Sequence, residues 1–125
     1  MGQDIHAFLE TVNEKADGTP YWWTVAELHL SRDRHMQWML GSHVFEWADR
    51  GLPADVCEFT LAEFHPERGH YGASYCTAAE YSEAIQLSLL PEYEGSELPD
   101  ADWLALQAMM QVYGEKCRLV FWFSY

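Results

Sequence analysis

Asp4, His6 and the distant His70 are the side chains of this chain best suited to hold a metal or to trade a proton. Asp4 and His6 alternate with Ile5, Ala7 and Leu9, so on an extended strand the carboxylate and the imidazole leave the same face. Joined by a downstream histidine such as His70 or His43, they would make a facial site for a divalent first-row metal, or an acid/base pair. No HExxH, CxxC or other ligand spacing accompanies them. The structural alternative is that Asp4 binds backbone in a tight turn and His6 is a half-buried strand residue. Cys76 and Ser74 lie near His70 in sequence, but nothing like a nucleophile elbow surrounds them, so Cys76 is expected to be a packed thiol before a helix cap. Gly69, Gly72 and Gly95 do not form a phosphate-cradling loop between a strand and a helix. No catalytic residue and no cofactor are therefore assigned.

Charge points elsewhere. Twenty acidic residues against seven basic ones give a formal charge of −13, beyond the magnitude of about 2 to 8 that solubility asks of a small domain. Such a chain is repelled by nucleic acid and by anionic membranes and is drawn to basic protein surfaces. The acidity is densest from Glu92 to Asp102, where Glu92, Glu94, Glu97, Asp100 and Asp102 place five carboxylates within eleven residues. Tyr93 and Trp103 stand beside them as anchors that would add specificity to charge. The alternative for this segment is a solvated loop that keeps the protein soluble.

The elements that must position these groups read as one α+β domain over the 125 residues. Asp4 to Val12 and Tyr21 to Leu30 alternate as strands around the polar 13–20 stretch, which reads as a hairpin loop and sends Trp22 and Trp23 to opposite faces. Ser31 or Asp33 caps a short helix over Arg34 to Leu40, with Gly41 as its stop. Pro53 at a first helical position predicts a helix over Ala54 to Phe59, and residues 65–72 read as a loop. Thr77 and Glu80 form a capping box for a helix to about Leu90. Asp100 is expected to cap a helix from Ala101 to Tyr113 with Leu104, Ala105, Ala108 and Val112 as its apolar stripe. Cys117 to Tyr125 is near-continuously apolar and should be a central strand. The expected fold is a mainly antiparallel sheet of the N-terminal hairpin plus the C-terminal strand, covered by two or three helices. Three cysteines, Cys57, Cys76 and Cys117, suggest neither a disulfide framework nor a zinc knuckle. With no leader-like start and no spanning apolar run, a cytoplasmic location is expected.

With both ends read, the chain resembles a family of small phage and prophage proteins that begin Met-Gly-Cys-Asp-Ile-His and end in a strand like Arg-Ile-Val-Phe-Trp-Phe-Asp. The matching residues are Met1-Gly2, Asp4-Ile5-His6 and Arg118-Leu119-Val120-Phe121-Trp122-Phe123, with weaker likeness at Arg50-Gly51-Leu52-Pro53, Asp55-Val56, Thr77 and Ala79-Glu80. Gln3 stands where the family carries Cys, and Tyr71-Gly72-Ala73 where it carries His-Ser-His, which leaves the ligand set around Asp4 and His6 incomplete. The resemblance implies a phage or mobile-element origin. The functional expectation is an acidic interaction protein that inhibits a host protein with a basic surface, such as a CRISPR effector. Two other classes stand beside it. One is a small-molecule protein, either a metal-dependent enzyme using Asp4 and His6 or a nucleotide binder using Tyr21, Trp22 and Trp122; the other is a homodimeric accessory protein joined through exposed aromatic rings.

Overall fold

A computed structural model of the chain describes residues 3–41, 45, 47–90 and 98–125, with the side chains of Arg34 and His35 left aside. The apolar alternation at each end of the sequence becomes a four-stranded antiparallel sheet in the order β2-β1-β4-β3, formed by β1 (Asp4–Glu14), β2 (Pro20–Leu28), β3 (Tyr71–Thr77) and β4 (Cys117–Ser124). The two ends of the chain pair directly, with Asp4 opposite Ser124 and His6 opposite Trp122. β4 lies between β1 and β3, which is why its seven residues from Cys117 to Phe123 are all buried.

One face of the sheet carries Ile5, Ala7 and Leu9 of β1 with Leu119, Phe121 and Phe123 of β4. Three helices cover it: α1 (Arg34–Gly41), α3 (Ala78–Ser88) and α4 (Ala101–Tyr113). Met36, Met39, Leu40, Tyr81, Ile85, Trp103, Leu106 and Met110 supply their share of this core. Asp33 caps α1 by accepting from Met36 N at 3.0 Å. The capping box of α3 is complete, with Glu80 N donating to Thr77 Oγ1 at 3.1 Å and Thr77 N donating to Glu80 Oε1 at 2.9 Å.

The opposite face carries His6, Phe8 and Glu10 with Arg118, Val120 and Trp122, and the irregular stretch from Leu52 to His70 contributes Leu52, Phe64 and His70 over it. A register shift in the hairpin moves the partner of Leu9, Ala26, to Thr24 for Glu10, so Val25 is an extra residue. This bulge turns Trp22 and Thr24 towards the second face, whereas Ala26 and Leu28 pack against the helix-side core.

Four expectations need correction. Pro53 opens a turn closed by Val56 N donating to Pro53 O at 3.1 Å, and the helix here is only α2 (Glu58–Leu61), because Arg118 holds both the carboxylate and the carbonyl of Asp55. A strand, β3, occupies Tyr71–Thr77, where the Gly and Pro content suggested only a loop and a cap; Gly72 takes φ +68° and absorbs a register shift against β4. α4 buries Trp103, Leu106 and Met110 instead of the stripe through Ala105, Ala108 and Val112, since the largest ring on the helix decides which side faces the core. Asp100 precedes α4 without a side-chain capping bond, its carboxylate accepting from Ser31 Oγ at 2.7 Å.

Candidate functional site

Asp4 and His6 enter β1 on the same side, but their polar partners separate them. The Asp4 carboxylate accepts from Arg32 Nε at 2.7 Å, and that hydrogen bond holds it below the usual carboxyl range. His6 Nε2 lies 2.8 Å from Ser124 Oγ, and its ring meets His70 at 4.8 Å between centroids. The hydroxyl and imidazole are thus paired with Asp4 turned away to Arg32, and the contacts observed among the described residues give them no carboxylate to orient them. His70 Nδ1 accepts from His65 N at 2.9 Å, which fixes this nitrogen as unprotonated. Burial pushes the His70 imidazole below its ordinary value, and the neighbouring His6 and His65 rings add to the shift. The His6 and His70 rings stack on Trp122, whose buried Nε1 meets no acceptor among the described residues, while His65 reaches only the His70 ring, at 5.8 Å between centroids. Among the described residues no group of three or more His, Cys, Asp or Glu side chains is placed to hold a metal ion.

Cys76 lies in the helix-side core, where burial pushes its thiol well above the ordinary value, and Ser74 Oγ donates to Trp47 O. Neither has an imidazole to activate it in the contacts observed. The acidic segment divides. Glu92, Tyr93, Glu94 and Glu97, like His43, lie outside the described residues. Asp100 and Asp102 are engaged internally: both accept from Ser31, at 2.7 Å and 3.1 Å from its Oγ, and tie the start of α4 to the β2–α1 linker. Trp103, expected as an exposed anchor, is fully buried, with Nε1 donating to Ser31 O at 3.1 Å, so its ring belongs to the core.

Beyond β1, the bulged end of β2 builds a second polar centre. Glu10, with no exposed surface, accepts at Oε1 from Arg118 Nε at 2.8 Å, and its Oε2 accepts from Cys57 N at 3.1 Å. Arg118 also donates to Asp55 Oδ1 at 2.7 Å, and its guanidinium carbon stands 4.0 Å from the centre of the Trp22 ring. A charge buried this deeply survives because each of its hydrogen-bonding groups is used. Outside this network opens a cleft of about 520 Å³, lined by Lys15, Tyr21, Trp22, Trp23, Asp55, Cys57, Glu58 and Phe59 among others. Burial pushes the Cys57 thiol up, but hydrogen bonds from the Thr24 hydroxyl and from the backbone of Phe59, Thr24 and Thr60 outweigh it and leave the thiol below its ordinary value.

The cleft brings together Tyr21 and Trp22, which the sequence paired as ring walls, but Trp122 lies in the histidine cluster of the same face. Asp55, Cys57, Glu58 and Phe59 were missed, because the segment reads as the start of a helix. The available signal was the run Tyr21-Trp22-Trp23, three adjacent rings of which a strand can bury only one side. Compared with family models, with curated proteins and with solved structures, the chain finds no match.

Proposed function

We propose that this is a phage-encoded acidic interaction protein that acts in the host cytoplasm by occupying a basic, nucleic-acid-binding surface of a host defence protein, in the manner of an anti-CRISPR. The observation that supports it best is how the few cations are used. Of seven basic residues, Arg32, Arg50 and Arg118 are bound to this chain's own carboxylates Asp4, Glu80, Glu10 and Asp55. Meanwhile Glu14, Asp17, Glu27, Glu58, Glu63 and Glu83 remain exposed. The outward field is therefore negative, and exposed rings such as Trp23 and Phe59 lie beside it to give contact area. The resemblance at both ends of the chain supplies the phage setting. Among the described residues no helix is long and apolar enough to cross a membrane.

Glu92, Tyr93, Glu94 and Glu97 are proposed as partner contacts from their chemistry alone, with the exposed Asp100 beside them, while the half-buried Asp102 and the buried Trp103 are withdrawn. The test is capture from a bacterial host lysate by the tagged protein, followed by competition with nucleic acid. The captured protein should be a nucleic-acid binder whose nucleic acid is excluded by the complex. Raised salt and the triple variant Glu92→Lys, Glu94→Lys, Glu97→Lys should each release it. Capture that withstands both overturns the proposal.

A small-molecule reading draws on the aromatic cleft, but its two carboxylates oppose the phosphates of a nucleotide. Homodimerisation would bring two copies of a −13 chain together. Neither has an observation in its favour equal to the exposed acidity.

A further inference from the structure

The cleft at the edge strand β2 has a more definite chemistry than the acidic surface around it. Its volume of about 520 Å³ suits one long side chain or a small ligand. Phe59 is 58% exposed on its wall, so that ring is not spent in the core, and Trp22 stands across from it. Asp55 is ionised, because the Arg118 hydrogen bond holds its carboxyl below the ordinary value despite some burial, yet its side chain is still 66% exposed. Glu58 adds a second exposed carboxylate, against the single ammonium of Lys15. Aromatic faces with carboxylates at their rim attract a cation that is flat enough to stack and has donors in its plane.

The molecule already contains this arrangement once. Arg118 stacks on Trp22 from the inner side while donating to Asp55 and Glu10. From that geometry and the cleft beside it, we infer that the cleft receives an arginine side chain of the protein partner, its guanidinium laid on the aromatic walls and paired with Asp55 and Glu58. Lysine fits less well, since an ammonium does not stack and pairs as a point charge. This inference rests on the proposed function for the identity of the partner, but its chemistry can be tested without one.

Cys57 supplies the reporter. It lines the cleft and is partly exposed, whereas Cys76 and Cys117 are buried, so mild alkylation by neutral iodoacetamide reads this thiol. The probes are acetyl-arginine-amide, its neutral citrulline isostere and adenosine monophosphate. At roughly 20 mM the arginine probe should slow Cys57 alkylation about threefold, as expected for a dissociation constant near 10 mM. Citrulline and the nucleotide should leave the rate unchanged. Lys15→Ala should deepen the protection and Glu58→Gln should weaken it, both at exposed positions that leave the core intact. Equal protection by arginine and citrulline, or none by either, overturns the inference. That outcome, with host-protein capture still sensitive to Glu92→Lys, Glu94→Lys, Glu97→Lys, would dismiss the arginine receptor and keep the acidic interaction protein. Arginine-specific protection with no salt-sensitive capture would do the reverse.

Discussion

The helix-covered face and the opposite face of the sheet are built from alternate residues of the same strands, yet different forces hold them. On the first, Ile5, Ala7, Leu9, Leu119, Phe121 and Phe123 meet three helices and make an almost wholly apolar core. On the second, Phe8, Val120 and Trp122 share the surface with His6, Glu10 and Arg118, under a stretch whose helices are only the four-residue α2 and a 3-10 turn over Pro66–Arg68. A helix laid over a face has already spent its interior backbone groups and offers polar partners only through side chains. Glu10 and Arg118 need several, and irregular backbone at Asp55 and Cys57 supplies a carbonyl and an N–H that a helix interior would have used for itself. The less regular cover is thus a consequence of the buried charge, and the candidate cleft opens where that cover ends.

Truncation on the apolar face should do the most damage. Phe121, fully buried between Trp47 and Phe123, should lose about 3–5 kcal/mol on change to Ala, read as a drop in the urea midpoint at unchanged slope. On the polar face, Arg118→Met leaves Glu10 buried beside a single backbone donor and should cost about 3 kcal/mol, the lower end for breaking a buried pair. The two faces then separate on rescue. Adding Glu10→Leu to Arg118→Met removes the orphaned charge and should recover at least half of the loss, a larger gain than any second substitution offers beside Phe121→Ala. A double variant no more stable than Arg118→Met would mean that the second face is held by packing alone.

The histidine cluster gives the polar face a pH dependence on the acid side of neutrality, whereas shifted groups of the apolar face such as Cys76 and Tyr81 are raised and act only in alkali. The folded His70 pKa lies below its ordinary 6.5, so as pH falls the unfolded chain takes up the proton first. Stability tied to neutral His70 is complete above that value and is lost as pH falls through it towards the lower folded pKa. Asp4 and Asp55 act in a separate window: their folded pKa values are depressed below 3.8, so their contribution persists above the carboxyl range and is lost only in stronger acid. Urea midpoints measured from about pH 7.5 to pH 5 should fall more steeply for the wild type than for His70→Gln. Parallel profiles would remove His70 as the source.

The two faces also differ in how readily the sequence reveals them. Alternation in β1, the apolar run of β4 and the Thr77–Glu80 capping box are local patterns, and each sets its element directly. The sheet and its pairing of the two ends were legible for that reason. The Val25 bulge and the turn after Pro53 are not local. They answer to Arg118, which lies 63 residues from Asp55 in sequence and 108 from Glu10. β3 was hidden similarly, since Tyr71-Gly72-Ala73 lacks β-branched residues and becomes a strand by pairing with β4. Of the candidate site, the ring-rich β2 was visible and the wall from Asp55 to Phe59 was not.

The smallest effect is expected where the sequence first suggested chemistry. Asp4 and Arg32 are joined at 2.7 Å, but their side chains are 44% and 60% exposed, so water and salt screen the pair and little is gained by holding two mobile side chains together. Arg32→Gln should leave the melting temperature unchanged within error in physiological salt. The contrast with Arg118→Met is the informative one, because both remove an arginine from a carboxylate at the same 2.7 Å separation, one pair exposed and the other buried with Asp55 and Trp22 as further partners. Were Arg32→Gln to destabilise as strongly as Arg118→Met, the exposed ion pair at the start of β1 would hold the sheet as firmly as the buried one, and burial would not be what separates the two.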